Sequence, residues 1–191
     1  MTTEEILKQF EETGALLEGH FVLSSGLHSP RYLQCALALQ NTADAIKFGR
    51  AIARHYTDQR IDTVASPAIG GLIIGFAVAL ALDARFVWTE RQDGRMTLRR
   101  GFAVSRSERI LVVEDVITTG GSTRGCIAAL DPFGAEIVGA ASIIDRSDGT
   151  ATVGVPRLAL VTMEVKSYSP AACPMCQAGK SLVKPGSRTI K

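Results

Sequence analysis

The chain has 191 residues, of which 46% are hydrophobic, 21% charged and 6% aromatic. That mixture excludes a disordered or fibrous chain and fits one folded domain, which at this length buries roughly 70% of the surface its unfolded state exposes. The 21 Lys and Arg against 19 Asp and Glu leave a net charge of +2, and the segment Thr89 to Gly101, with four arginines and two acids, carries that surplus by itself. A broad basic footprint for nucleic acid is therefore not expected, whereas a local anion site is.

Thr2-x-x-Glu5 is a capping-box pattern followed by Ile6, Leu7 and Phe10 at helical spacing, which predicts a first helix to about Gly14. This acidic, amphipathic start lacks the basic region and apolar core of a secretory signal, so the expected compartment is the cytoplasm. From His20 to Cys35 the short runs FVLSS and PRYLQC, around Gly26 and Ser29-Pro30, predict a hairpin-like flap, and helix resumes over Thr42 to Tyr56. Strand-like runs then alternate with helices: strands at Thr63 to Ala65, Arg85 to Thr89, Ile110 to Val113 and Ile137 to Ile144, helices near 71–82 and 122–130. Such alternation predicts an α/β fold, a central mostly parallel sheet flanked by helices. The apolar run Ala68 to Leu82 is too short to span a bilayer and reads as a turn feeding a core helix, so no membrane association is expected. Residues 1–191 form one domain in this reading, with 1–40 and the C-terminal tail as the flap and about 42–165 as the core.

The chemistry concentrates in ILVVEDVITTGGSTRGCIAAL, Ile110 to Leu130: a buried strand, two acids, a loop of hydroxyls and glycines, then a helix. Ligands of open α/β sheets bind where strands give way to such loops. Gly120 and Gly121 let successive N–H groups turn onto an anion at the helix start, and Thr118, Thr119, Ser122 and Thr123 add hydroxyl donors. A phosphate monoester fits that cradle. Glu114 and Asp115 would repel it, and vicinal sugar hydroxyls are their natural partners, so the combination suggests a ribose 5-phosphate. Neither G-x-x-x-x-G-K-[ST] nor G-x-G-x-x-G occurs, which disfavours a P-loop and a dinucleotide site.

The string VVEDVITTGGS resembles the phosphoribosyl-pyrophosphate signature of the type I phosphoribosyltransferases, and FVLSSGLHSPRY, SPAIGG and IIDR extend the resemblance to the orotate phosphoribosyltransferases over nearly the whole chain. The resemblance implies a type I phosphoribosyltransferase fold with a small N-terminal flap, or hood. It also implies transfer of the phosphoribosyl group to orotate, giving orotidine 5′-monophosphate and pyrophosphate in pyrimidine biosynthesis. Carried over by residue, Glu114, Asp115, Val116, Ile117, Thr118, Thr119, Gly120, Gly121 and Ser122 would bind phosphoribosyl pyrophosphate. Thr118 and Arg146 would hold orotate, with Ser25 and Gly26 of the flap over the base, and the turn Ser66 to Gly71 would seat pyrophosphate. Mg²⁺ is the implied cofactor, held mainly by substrate rather than by side chains.

The segment TERQDGRMTLRRG would be a mobile loop, residues 90–101, with Gly94 and Gly101 as flexible points and Arg91, Arg95, Arg99 and Arg100 as anion ligands. Asp115, Arg91 and Arg95 are the expected catalytic residues. The resemblance further implies a homodimer in which this loop completes the neighbouring site. The chain departs from the family's common pattern in having neither lysine nor histidine in the loop, in Ser24, where many relatives carry lysine, and in Gly70, where some do; Arg31 is the cation left to compensate. Two alternatives stay open at this point: a hypoxanthine-guanine type enzyme, and a non-catalytic regulator that binds phosphoribosyl pyrophosphate.

The cysteines Cys35, Cys126, Cys173 and Cys176 read as reduced thiols. Cys173-Pro-Met-Cys176 lacks the second ligand pair of a structural zinc site, so structural thiols are expected there, with a dimer-shared metal or a disulfide as alternatives. His20, His28 and His55 show no ligand spacing.

Overall fold

The computed structural model describes residues 1–23 and 25–185, so Ser24 lies outside the described residues. By density of contacts the chain divides into two units, one built from Leu39–Met163 and the other from Thr2–Ala38 with the segment from Glu164 onward.

The larger unit contains helix α3 (Thr42–Ala53), strand β3 (Thr63–Pro67), α4 (Gly71–Leu82), β4 (Arg85–Gln92), β5 (Arg95–Leu98), β6 (Arg109–Ile117), α5 (Gly121–Leu130), β7 (Glu136–Asp145) and β8 (Arg157–Thr162). Its six strands lie in the order β5-β4-β3-β6-β7-β8. Every neighbouring pair is parallel except β4 with β5. The crossover helices follow from the sequence: Asn41 caps α3 by accepting from the Ala43 amide, and Gly120 with φ +73° opens α5. Ile110, Leu111, Val112 and Val113 of β6 are fully buried, as a central strand covered on both faces requires. Val87, Ala65, Ile110, Val112, Cys126, Leu130 and Ala140 form the core on the α5 side of the sheet.

The smaller unit holds α1 (Thr3–Glu12), the two-stranded antiparallel sheet of β1 (Leu16–Val22) and β2 (His28–Leu33), and the short helix α6 (Pro174–Gln177). The capping box at Thr2 and Glu5 forms as expected, with each side chain bonded to the other's backbone N–H. Residue pairs Val22/His28 and Phe21/Ser29 fix the hairpin register, and single bridges tie Phe21 to Val183 and His28 to Tyr168.

Several expectations need correction. The segment read as a loop over 90–101 is instead largely a β-hairpin: β4 continues to Gln92, β5 pairs back from Arg95, and Asp93 and Gly94, with φ of +48° and +82°, make the two-residue turn. An Asp-Gly pair between strands is the chemistry such a turn needs, and the surrounding arginines masked it. β6 runs on to Ile117, which places Glu114 and Asp115 inside the strand rather than beyond it. Strand β8 had no counterpart in the sequence reading. Helix α4, read as core, leaves Ile73, Phe76 and Leu80 exposed, together with Ile69 in the turn before it.

Candidate active site

Successive side chains of a strand point to opposite faces, and β6 applies this to its two acids. Glu114 faces α5, where Thr123 Oγ1 donates to its Oε2. Asp115 faces the start of α4: its Oδ1 lies 2.7 Å from the position a Cβ on Gly70 would occupy. Adjacent in sequence, the two carboxylates thus serve the two sides of the sheet's carboxyl end.

Beside Glu114 is a cleft of about 220 Å³ lined by Arg91, Glu114, Val116, Thr118, Thr119, Gly120, Gly121 and Ser122. Positive φ at Gly120 turns the loop, and a Cβ there would come within 2.9 Å of Val153 and 3.0 Å of Arg124. Arg124 Nη1 donates to the carbonyls of Thr119 and Thr152 at 2.8 and 2.6 Å, holding the loop's shape from beneath. The amides at the N-terminus of α5 and the hydroxyls of Thr118, Thr119 and Ser122 then converge on one concavity suited to a phosphate.

Burial pushes the Glu114 carboxyl up to about 7; the Thr123 and Ser122 hydroxyls oppose the rise and the charge on Asp115 adds to it. Asp115 is also raised, by burial first, against bonds from the Val116 amide and its own. Two partly buried acids whose pKa values are raised by desolvation, beside a cleft, mark this strand as a candidate functional site.

Arg146 follows β7 directly, half-buried, and its amide donates to the Ile117 carbonyl at 2.8 Å. Because Ile117 pairs with Asp145, Thr118 and Arg146 leave adjacent strands side by side. Asp145 is engaged elsewhere: Arg157 Nη1 donates to it at 2.6 Å and Ser147 through both amide and hydroxyl. Burial disfavours its charge, but these donors prevail and hold its carboxyl below the usual range.

The structure therefore gathers Glu114, Val116, Thr118, Thr119, Gly120, Gly121, Ser122 and Arg91 around one cleft, with Asp115 on the opposite face of the same strand. Ile117 of the expected set is a core residue, 1% exposed. Thr123, expected among the phosphate donors, is buried and bonded to Glu114 instead. Arg99 and Arg100, expected as anion ligands, pair with Glu90 at 3.5 and 2.5 Å. Those contacts, with Trp88 Nε1, hold the Glu90 carboxyl below its ordinary range. In the turn Ser66 to Gly71, where the Ala68–Ile69 peptide is cis, the Ala68 amide is bonded to the Thr89 carbonyl. Ser25 and Gly26 lie in the β1–β2 turn of the smaller unit, and Arg31, expected to compensate for the missing lysine at position 24, pairs with Glu18 at 3.0 Å. Sequence reasoning missed Arg124 and Arg157, which shape the loop and the Asp145 corner; each is a lone cation in an otherwise uncharged stretch and gave no local signal.

Residues 38–156 match the phosphoribosyl transferase domain family. The chain is 49% identical over 190 residues to the orotate phosphoribosyltransferase of Pelotomaculum thermopropionicum, covering 100% of both chains. It is 46% identical over 188 residues to that of Chlorobium phaeobacteroides, covering 98% of this chain and 97% of the other. Among solved structures, the orotate phosphoribosyltransferase of Aeropyrum pernix superimposes with a TM-score of 0.69 at 24% identity, over 83% of this chain and 93% of the other. The Trypanosoma brucei adenine phosphoribosyltransferase, bound to AMP, pyrophosphate and ribose-5-phosphate, does so with 0.64 at 22% identity, over 97% and 88%. Full-length identity at this level accords with the strand, loop and helix described above: the chain belongs to the orotate phosphoribosyltransferases.

Proposed function

We propose that this chain joins orotate to the ribose of 5-phosphoribosyl 1-pyrophosphate, giving orotidine 5′-monophosphate and pyrophosphate. The observation that carries the sugar phosphate is the placement of Glu114 beside the Thr118–Ser122 cradle with Asp115 turned to the opposite face. In the reaction the C1′–oxygen bond to pyrophosphate breaks, a bond from C1′ to orotate N1 forms, and the N1 proton is released. No nucleophilic side chain is needed. The cradle would hold the 5′-phosphate, while Glu114 and Asp115 accept hydrogen bonds from the ribose hydroxyls and favour positive charge developing on the ring. Arg91, at the cleft, would face phosphate oxygens with its guanidinium fork. Arg95 joins it in this proposal by resemblance alone.

Thr118 and Arg146 would take the base, since a guanidinium fork can pair with the orotate carboxylate in a bidentate manner. For Ser25 and Gly26 the assignment to the base rests on the resemblance alone. Gly70, which caps α4, and Gly71, its first residue, would supply amides to pyrophosphate, the Ala68 amide being engaged.

The chemistry suits Mg²⁺ held mainly by substrate: Asp115 offers hard carboxylate oxygens, and the absence of a side chain at Gly70 leaves that carboxylate its room, since a Cβ there would lie 2.7 Å from Oδ1. When bound with substrate, the ion would neutralise the leaving pyrophosphate. We also propose a homodimer, supported by Ile69, Ile73, Phe76 and Leu80, which are 84%, 47%, 58% and 60% exposed on one helix and its preceding turn. No helix of the described residues is long and apolar enough to cross a membrane. A cytoplasmic enzyme is the proposed setting.

The test is the ultraviolet loss of orotate with phosphoribosyl pyrophosphate and Mg²⁺, run beside hypoxanthine, guanine, adenine and uracil. Turnover restricted to orotate is expected. Turnover of a purine, or binding of phosphoribosyl pyrophosphate with no acceptor consumed, would overturn the proposal.

A further inference from the structure

The β1–β2 hairpin and the C-terminal segment bring four metal-ligating side chains to one point within the smaller unit. His20 Nε2 lies 2.9 Å from His28 Nδ1, 3.5 Å from Cys173 Sγ and 3.7 Å from Cys176 Sγ, and His28 Nδ1 lies 3.3 Å from Cys176 Sγ. All four ligand atoms fall within 4.8 Å of one another. A tetrahedral ion with nitrogen at about 2.0–2.1 Å and sulfur at about 2.3 Å has ligand-to-ligand edges of about 3.3 to 3.8 Å, close to the spacing observed. His20 Nδ1 is 2.9 Å from the Lys180 carbonyl. A carbonyl accepts only, so it holds the proton on Nδ1 and leaves the Nε2 lone pair facing the cluster.

We propose that His20, His28, Cys173 and Cys176 form a structural zinc site. Two thiolates and two imidazoles in a tetrahedron are the donor set zinc prefers, and four protein ligands leave no open position for chemistry. Binding balances as follows: the two thiols release two protons, the imidazoles bind neutral, and the two thiolate charges cancel the charge of the ion. Three of the ligands are buried, His20 and His28 at 3% and 5% exposed and Cys173 at 0%, while Cys176 is exposed and offers the path of entry.

The position of the site in the fold gives it a purpose. His20 and His28 bracket the hairpin turn that contains Ser25 and Gly26, and the cysteines come from a distant segment, 153 and 156 residues beyond His20. Apart from the metal, the hairpin meets that segment through the single bridges at Phe21/Val183 and His28/Tyr168 and a few further hydrogen bonds. A small unit with so short a sheet lacks a large core, and an ion across its ends supplies the missing cross-link. The spacing of the cysteines alone hid this, because the second pair of ligands lies near the other end of the chain.

The experiment uses the full chain purified under reducing conditions without chelator. Metal analysis is expected to find about one zinc per chain. Replacement by Co²⁺ should give the intense visible bands of a tetrahedral site and a near-ultraviolet thiolate-to-cobalt charge-transfer band. In Cys176→Ser the charge-transfer band should weaken and zinc retention fall, whereas Cys35→Ala should match the parent. As a readout independent of any variant's folding, chelation of the parent should speed hydrogen exchange in residues 16–33, and zinc should restore protection. A parent chain that takes up no stoichiometric zinc and gives Co²⁺ no thiolate charge transfer would overturn the proposal, as would a Cys173–Cys176 disulfide found by mass spectrometry in freshly lysed cells.

Discussion

Thr123 Oγ1 donates its hydrogen bond to Glu114 Oε2, so the first turn of α5 holds the very carboxylate assigned to the ribose. The bond favours the charged form of an acid that burial, even against it, pushes up to about 7. Thr123→Val keeps the shape and removes the donor; a hydrogen bond to a charged group is worth about 1.5–3 kcal/mol, so phosphoribosyl-pyrophosphate affinity at pH 7 should fall roughly tenfold or more. Titration calorimetry of parent and variant, at pH 7 and again at pH 8.5, reads this directly. The deficit should shrink at the higher pH, where Glu114 is charged in either protein.

The same acid sets a pH dependence of stability. Its pKa in the folded chain, about 7, exceeds the ordinary 4.5, so between those values the folded state binds more protons than the unfolded state. Stability contributed by Glu114 is therefore present below about pH 4.5, declines as pH rises to about 7 and is level above, a change on the order of 3 kcal/mol. Asp115 is raised too and adds to the same slope. Urea unfolding of the unliganded protein at pH 5.5 and pH 8 should show Glu114→Gln losing part of the decline seen in the parent. Parallel profiles for the two proteins would contradict the burial of a titrating Glu114.

Asp115 and Gly70 form a second dependent pair. A methyl group at position 70 would lie 2.7 Å from Asp115 Oδ1, so Gly70→Ala must displace the carboxylate or the turn. The expected result is a loss of kcat of tenfold or more with the orotate KM little changed, and Asp115→Asn should reproduce it. Steady-state kinetics in both substrates, with the thermal midpoint as a check on folding, separates the site effect from general damage.

Arg146 is predicted to act on the base. With Arg146→Ala, the orotate KM should rise at least tenfold and the phosphoribosyl-pyrophosphate KM by much less, because a charge-assisted bidentate pair is lost on one substrate only. Equal changes in the two constants would remove Arg146 from orotate recognition.

What the sequence revealed and what it hid divide along a physical line. The central strand, the glycine-hydroxyl loop and α5 are consecutive, and each was marked by its own residues: an apolar run buried on both faces, paired glycines, then helical spacing. Features that need distant partners were hidden. His20 and His28 meet Cys173 and Cys176 only in the fold. Arg99 and Arg100 looked like free anion ligands because Glu90, ten residues from Arg100, becomes their neighbour only when β4 and β5 pair. Helix α4 is apolar on every side, so no periodicity distinguished the face packed on the sheet from the face left exposed.

That exposed face carries the last prediction. Ile73, Phe76 and Leu80 recur at helical spacing, and Phe76 stands edge-on to Phe86 with ring centroids 6.2 Å apart. α4 has no charged residue between Gly71 and Leu82. In the proposed homodimer this stripe is covered by a second copy, and introducing a buried charge there should cost several kcal/mol of association while leaving the isolated fold intact, because the face is already open to water in one chain. Phe76→Glu should therefore elute as a monomer at concentrations where the parent is a dimer, with its far-ultraviolet circular dichroism unchanged. If Arg95 must reach a neighbouring site, activity will fall with dimer content across a dilution series of the parent. A monomeric parent with full activity would remove both the interface and the shared site.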